Sequence, residues 1–404
     1  MSPRRTLTPF CAALLFLSPV AAQAEEPSPE IEALRACVAA RAETLDFSGA
    51  VLISRKGQTM TYARGAQSDG APITSRSRFN IGSAGKMFTA VAVGQLVEKG
   101  QIDLDAPIGR YVDGLTAEAS NVTVRQLLTH SSGLGNFFTP DNAAAIGRAK
   151  TLAELKPLIA ADAPAFEPGS RFAYSNSGFL LLGFLIEQTS GQTYDAYVAE
   201  HIFAPADMAA SSLTHDLPTA SVQGMTSGVL PPRPSAPSDR RQEGSNDRPS
   251  EQAAPPSSRA PLELRPSAES VLPGTSAGGA FSTVEDLERF FSALQSGRLV
   301  KPETARLLQQ KQIVSGPARG NLPELGYGFG FSTGDFEEHP WFGHSGGALG
   351  VNSEAVAFPQ DDAVVVVLVN RDPPMAAELL RIGRRMMFTQ TCPDLSPRPS
   401  RSTG

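Results

Sequence analysis

A serine stands three residues before a lysine in Ser83-Ala84-Gly85-Lys86. On the first turn of a helix that spacing puts both side chains on one face. A hydroxyl is a weak nucleophile until a base takes its proton. A lysine does this only in its neutral form, which burial or a nearby cation favours. The positive end of a helix also favours an incipient alkoxide. The chain has seven lysines, and only Lys86 follows a serine at this distance. In isolation the pair also reads as a plain helix start carrying an exposed lysine.

Two further segments can complete the chemistry. Of the six tyrosines, only Tyr174 has an asparagine two residues on, in Tyr174-Ser175-Asn176. A phenol beside a cationic amine can relay protons. The amide of Asn176 can orient Lys86 or hold a substrate. The alternative is a helix cap by Ser175 or Asn176 next to a packed tyrosine. The third segment is His344-Ser345-Gly346-Gly347. Its small residues let a substrate backbone lie along a strand edge. The N–H of Gly347 can pair with that of Ser83 as an oxyanion hole, where one donor is worth roughly 3–4 kcal/mol of barrier. The alternative is a plain hairpin turn.

These segments must be carried by regular elements. Apolar spacing predicts helices over Ile31 to Glu43, Ser83 to Lys99, Val124 to Thr129, Asn176 to Thr189, Tyr194 to Ile202, Val284 to Leu294 and Met375 to Thr389. The helix from Asn176 is almost wholly apolar, which predicts burial, and Gly191 is its stop. Strands are predicted over Phe47 to Arg55 and Gln58 to Ala63, with Lys56-Gly57 as the turn. Four more are predicted over Tyr327 to Ser332, Pro340 to His344, Val351 to Phe358 and Ala363 to Val369. Strands at both chain ends and helices between them imply an α+β fold. One antiparallel sheet is assembled from both ends, flanked by helices, with a helical lobe inserted at about residues 80–228. From about Leu230 to Ser267 the chain is rich in Pro, Ser, Arg and Glu, and it is expected to be a disordered insertion. Order is expected to return at Thr275.

The 404 residues, 41% of them apolar, suffice for a large core. Arg4 and Arg5, the apolar stretch Phe10 to Val20 and the small-x-small site Ala22-Gln23-Ala24 form a secretory signal over 1–24. The other reading is an uncleaved anchor, though the stretch is short for a span. Cleavage would take the net charge from −6 to −8, with 33 basic against 41 acidic residues. An acidic chain gives no footprint for nucleic acid or an anionic membrane. The mature protein is expected in the periplasm or secreted, without a stable membrane span, as a monomer acting on a small molecule or peptide. Export permits a disulfide between the two cysteines that remain, Cys37 and Cys392. Five scattered histidines and these cysteines offer no metal cluster, and no metal or other cofactor is expected. Residues 393–404 read as a flexible tail.

Serine-x-x-lysine, then tyrosine-x-asparagine, then a basic residue with Ser-Gly on a late strand is an ordered set. It resembles the penicillin-binding and class C β-lactamase-like serine hydrolases, with D-Ala-D-Ala carboxypeptidases and related esterases. Phe79-Asn80-Ile81-Gly82, Leu127 to Leu134, Ala277-Gly278-Gly279 and Tyr327-Gly328-Phe329-Gly330 resemble that family too. The likeness covers about residues 35–390 and makes 25–392 one domain of β-lactamase/transpeptidase-like fold. It implies Ser83 as nucleophile and Lys86 with Tyr174 as shared general base. It implies Asn176, His344, Ser345 and Gly346 as substrate contacts, with Ser83 and Gly347 as oxyanion donors. His344 departs from the lysine of class C β-lactamases, because histidine is charged only conditionally near neutral pH. That weakens β-lactam hydrolysis more than acyl transfer. Two competitors are weighed. Gly274-Thr275-Ser276-Ala277-Gly278 and Gly343-His344-Ser345-Gly346-Gly347 both match G-x-S-x-G. The first lacks a preceding strand and the second lacks a later histidine. A non-catalytic penicillin- or wall-binding module on the same fold is the other.

Overall fold

A computed structural model describes residues 28–67, 69–214, 221–227, 264–268, 272–318 and 323–392. Eight strands form one antiparallel sheet: β1 Gly49–Arg55, β2 Gln58–Arg64, β3 Ile313–Gly316, β4 Leu325–Tyr327, β5 Ser332–Phe336, β6 His339–Ala348, β7 Val351–Phe358 and β8 Ala363–Val369. Their order is β2-β1-β8-β7-β6-β5-β4-β3. The two chain ends meet one strand in from an edge, where Gly49 pairs with Val369 and Arg55 with Ala363. The β1–β2 hairpin turns at Lys56 (φ 51°) and Gly57 (φ 78°). Two left-handed residues match the twist of a two-residue hairpin.

β8 reads Ala-Val-Val-Val-Val-Leu-Val and is apolar on both faces. A central strand covered on both sides needs that composition. Helices α1 (Pro29–Thr44) and α5 (Met375–Thr389) cover one face. Val38, Leu379 and Ile382 pack there on Ile53, Val365 and Val367. Cys37 and Cys392 are bonded, with Cα atoms 5.8 Å apart, so α1 is tied to the segment leaving α5. The other face carries α4 (Val284–Gln295), which opens on a Thr283 cap. Phe290 and Phe291 of α4 join Leu52, Val366 and Phe342 in a larger core. That core runs on into the lobe holding α2 (Lys86–Glu98) and α3 (Asn176–Ser190). Burying one such side chain contributes about 1.5–3 kcal/mol. The sheet and lobe therefore form one continuous support for whatever lies between them.

Three expectations need correcting. The helix expected from Ser83 begins at Lys86, and Gly82–Gly85 is a 3₁₀ turn. The strand expected over Tyr327 to Ser332 breaks in the middle, because Gly330 takes φ 74° and the Gly328 N–H donates to the Phe331 carbonyl. Order resumes before Thr275: Arg265–Pro266 pairs with Met225–Thr226, and the Ser267 N–H donates to Gly224. The rest of the proline-rich insertion, the secretory segment and the tail lie outside the described residues. Among the described residues no helix is long and apolar enough to cross a membrane.

Candidate active site

Ser83 sits in the tight turn between the strand pair Phe79–Asn80 and α2. Residues three apart eclipse in a 3₁₀ turn, so Ser83 and Lys86 align along one edge. The Asn80 side chain accepts the Gly82 N–H at 2.8 Å and fixes the entry. Gly82 takes φ 52°, and a Cβ there would lie 3.1 Å from the Gly347 nitrogen. A Cβ on Gly346 would lie 2.0 Å from the Ile81 carbonyl oxygen. These glycines let β6 lie directly against the turn that carries Ser83. Ser353 of β7 also donates to the Ile81 carbonyl, at 2.8 Å. Ser83 and Gly347 line the same cavity, of about 270 Å³.

Lys86 is fully buried. Its Nζ lies 3.3 Å from Ser83 Oγ and donates to Asn176 Oδ1 at 2.7 Å. It also donates to the Ala277 carbonyl. Oxygens of Ser83, Asn176 and Ala277 thus lie around the amine. The Tyr174 ring centroid is 4.8 Å from Nζ, and that of Phe179 is 5.3 Å away. α3 supplies Asn176 because Ser175 caps it, its hydroxyl accepting the Gly178 N–H. The second end of the Asn176 amide donates to Asn136 Oδ1 at 2.7 Å. The Gly279 N–H donates to the Gly82 carbonyl at 2.9 Å, closing the loop 275–279 over the turn. The sequence gives no side-chain signal for Ala277, because it acts through its carbonyl.

His344 lies on β6 but does not line the cavity. Alternation along the strand buries His344 and exposes Ser345 and Gly347. A directed chain of hydrogen bonds occupies both ring nitrogens. The Ser175 N–H donates to His130 Nδ1 at 3.1 Å, so the His130 hydrogen is on Nε2. His130 Nε2 donates to the Tyr327 hydroxyl at 3.1 Å, and Tyr327 donates to His344 Nε2 at 2.9 Å. His344 Nδ1 then donates to the Ser345 carbonyl at 2.6 Å, which can only accept. Both ends dictate the same direction, and both histidines are neutral in it. Burial, and next the Lys86 amine, push His344 down to about 3. The same causes, in the same order, hold His130 well below its ordinary value. Burial holds Tyr327 well above its own. The expectation that His344 forms the substrate wall and is charged under some conditions is corrected: its ring is sealed between uncharged partners. Ser345 is exposed, Gly346 serves the close approach to Ile81, and neither lines the cavity.

The family model for "Beta-lactamase" matches residues 34–385. This chain belongs to the β-lactamase family. Its architecture is the β-lactamase/penicillin-binding-protein serine hydrolase fold. It is 30% identical over 173 residues to penicillin-binding protein 4* of Bacillus subtilis, covering 41% of this chain and 38% of that protein's length. A penicillin binding protein from Bacillus halodurans superposes with TM-score 0.71 at 24% identity, over 87% of this chain and 99% of that one. A D-stereospecific amidohydrolase from Streptomyces sp. superposes with TM-score 0.67 at 24% identity, over 90% of this chain and all of the other. Within the β-lactamase fold, this chain brings Ser83, Lys86, Tyr174 and Asn176 together and sets Gly347 beside the Ser83 turn. Four participants were not assigned a role from sequence. Asn136 reads there as an ordinary loop asparagine. His130 and Tyr327 are visible in the motifs Leu127 to Leu134 and Tyr327 to Gly330, but their pairing with each other is not. Ala277 lies in the Ala277-Gly278-Gly279 motif, whose residue types do not reveal a role for a backbone carbonyl.

Proposed function

We propose that this chain is an exported serine hydrolase that forms an acyl-enzyme at Ser83. The contact of the buried Lys86 amine with Ser83 Oγ, at the floor of a cavity, carries the proposal. Ser83 Oγ bonds to the substrate carbonyl carbon as its hydroxyl proton passes to the Lys86–Tyr174 pair. The bond from that carbon to the leaving oxygen or nitrogen then breaks, and the leaving atom takes the proton. Water repeats the sequence in reverse, releasing the acid and restoring Ser83. Asn176 holds Lys86 in place and presents its amide to the cavity. The N–H groups of Ser83 and Gly347 receive the oxyanion, each contributing roughly 3–4 kcal/mol. Export rests on the leader at 1–24, and the Cys37–Cys392 bond suits an oxidising compartment.

The substrate is an amide or ester: a β-lactam, a D-Ala-D-Ala peptide or a small ester. A neutral His344 favours the small ester, because a β-lactam and a D-Ala-D-Ala peptide each carry a carboxylate to which it offers no cation. A hydrolysis panel tests the proposal, with a chromogenic cephalosporin, short aryl esters and a D-Ala-D-Ala peptide. At least one is turned over, and Ser83→Ala abolishes that turnover with an unchanged melting temperature. Turnover that survives in Ser83→Ala contradicts the proposal.

A further inference from the structure

Tyr174 does not line the cavity beside Ser83. Ser83, Asn176 and Gly347 line it together with Phe137, Phe138, Pro140, Ile146, Leu272 and Val351. Among the described residues that line it there is no Asp, Glu, Lys, Arg or His. Phe138 keeps 37% of its surface exposed, a large share for an aromatic at a cavity mouth.

This lip is held to the reacting groups. Asn136 Oδ1 accepts the Phe138 N–H at 3.2 Å, and Asn136 Nδ2 donates to the Phe138 carbonyl at 3.0 Å. The same Oδ1 accepts from Asn176, whose own Oδ1 accepts from Lys86. The Phe138 backbone is thus two side chains removed from the amine. Asn136 is a positioning residue for the cavity wall.

Resting on the serine hydrolase reading, we infer that this cavity takes the acyl group of the substrate, and that this group is uncharged and apolar. Tyr174, which passes the proton to the leaving atom, does not line the cavity. The leaving group therefore lies on the Tyr174 side and the acyl group on the other. In acylation the carbonyl carbon gains its bond to Ser83 Oγ and loses the leaving group, while the acyl chain stays in the cavity. An acyl ammonium would find no carboxylate there, and an acyl carboxylate no cation. Burying either without a partner is costly.

Four p-nitrophenyl esters with the same leaving group test this: acetate, butyrate, the succinate half-ester and D-2-aminobutyrate. kcat/KM rises about fourfold per methylene from acetate to butyrate, roughly fifteenfold in total. The succinate and aminobutyrate esters fall below butyrate by about a hundredfold or more. Phe138→Ala lowers the butyrate-to-acetate ratio by about three- to fourfold. Labelling of Ser83 by a fluorophosphonate is read in parallel. Labelled protein with a flat chain-length series, or with a preference for either charged ester, overturns the acyl-group inference alone. Failure of Ser83 to label overturns the hydrolase reading and this inference with it.

Discussion

The elements on either side of Ser83 each bury a basic side chain and use it differently. On one side Lys86 is surrounded by oxygens from Ser83, Asn176 and Ala277. On the other, His344 meets a hydroxyl and a carbonyl in a chain that fixes it neutral. Partner chemistry, more than residue type, decides how each basic group is used. The amine faces Ser83 Oγ. The imidazole braces β6 against His130, whose ring lies 4.1 Å from that of Tyr174. The brace therefore joins the strand bearing Gly347 to the segment bearing Tyr174 and Asn176.

The largest effect should come from the Lys86 side. Lys86→Ala lowers turnover by about 10⁴ or more, because members of a catalytic unit each cost most of the rate. The measurement is kcat/KM on whichever panel substrate is hydrolysed. A loss under tenfold would show that the Ser83 proton leaves by another route.

The His344 brace should break through stability first. Tyr327→Phe leaves a buried His130 N–H without its acceptor and His344 Nε2 without its donor. At about 1–3 kcal/mol for each orphaned group, the loss is roughly 3 kcal/mol in denaturant unfolding. An unchanged midpoint would mean that the chain of hydrogen bonds contributes nothing.

Acid sharpens the comparison further. His130 and His344 are held below their unfolded value, so the unfolded chain binds protons that the native state does not. Stability from them is present above about pH 6.5 and falls as pH drops below it. Glu354 acts in the opposite sense, since burial raises it to about 7 and the native state binds the extra proton. Two histidines against Glu354, with Glu187 and Glu288 also raised by burial, leave a net of at most about one proton. That is at most about 1.4 kcal/mol per pH unit, or roughly 2 kcal/mol between pH 6.5 and 5. Unfolding at these two pH values checks it, and Glu354→Gln should steepen the loss. A Glu354→Gln protein that gains stability on acidification would contradict the neutral brace.

Much of this was legible in the residues. β7 and β8 are valine- and alanine-rich runs bounded by a turn at Gln360-Asp361-Asp362, and their bounds match the pattern. α3 was legible as an apolar run closed by Gly191, which takes φ 73°. The break after Tyr327 was hidden because aromatic residues there suggest a strand, while the glycines between them turn the chain. At the site, Ser83, Lys86, Tyr174 and Asn176 stood out through spacing. The neutral state of His344 did not, because it depends on His130, 214 residues away, through Tyr327. The Ala277 carbonyl and the Asn136 amide were hidden for a similar reason: backbone groups and loop amides acquire roles only when distant segments meet.

The account turns on Ser83 as the group that becomes acylated. Folded protein treated with a fluorophosphonate and analysed by peptide mass spectrometry should carry one adduct, on Ser83, formed with loss of fluoride. Ser83→Ala should carry none. Native protein without an adduct, or an equal adduct in Ser83→Ala, would contradict the account.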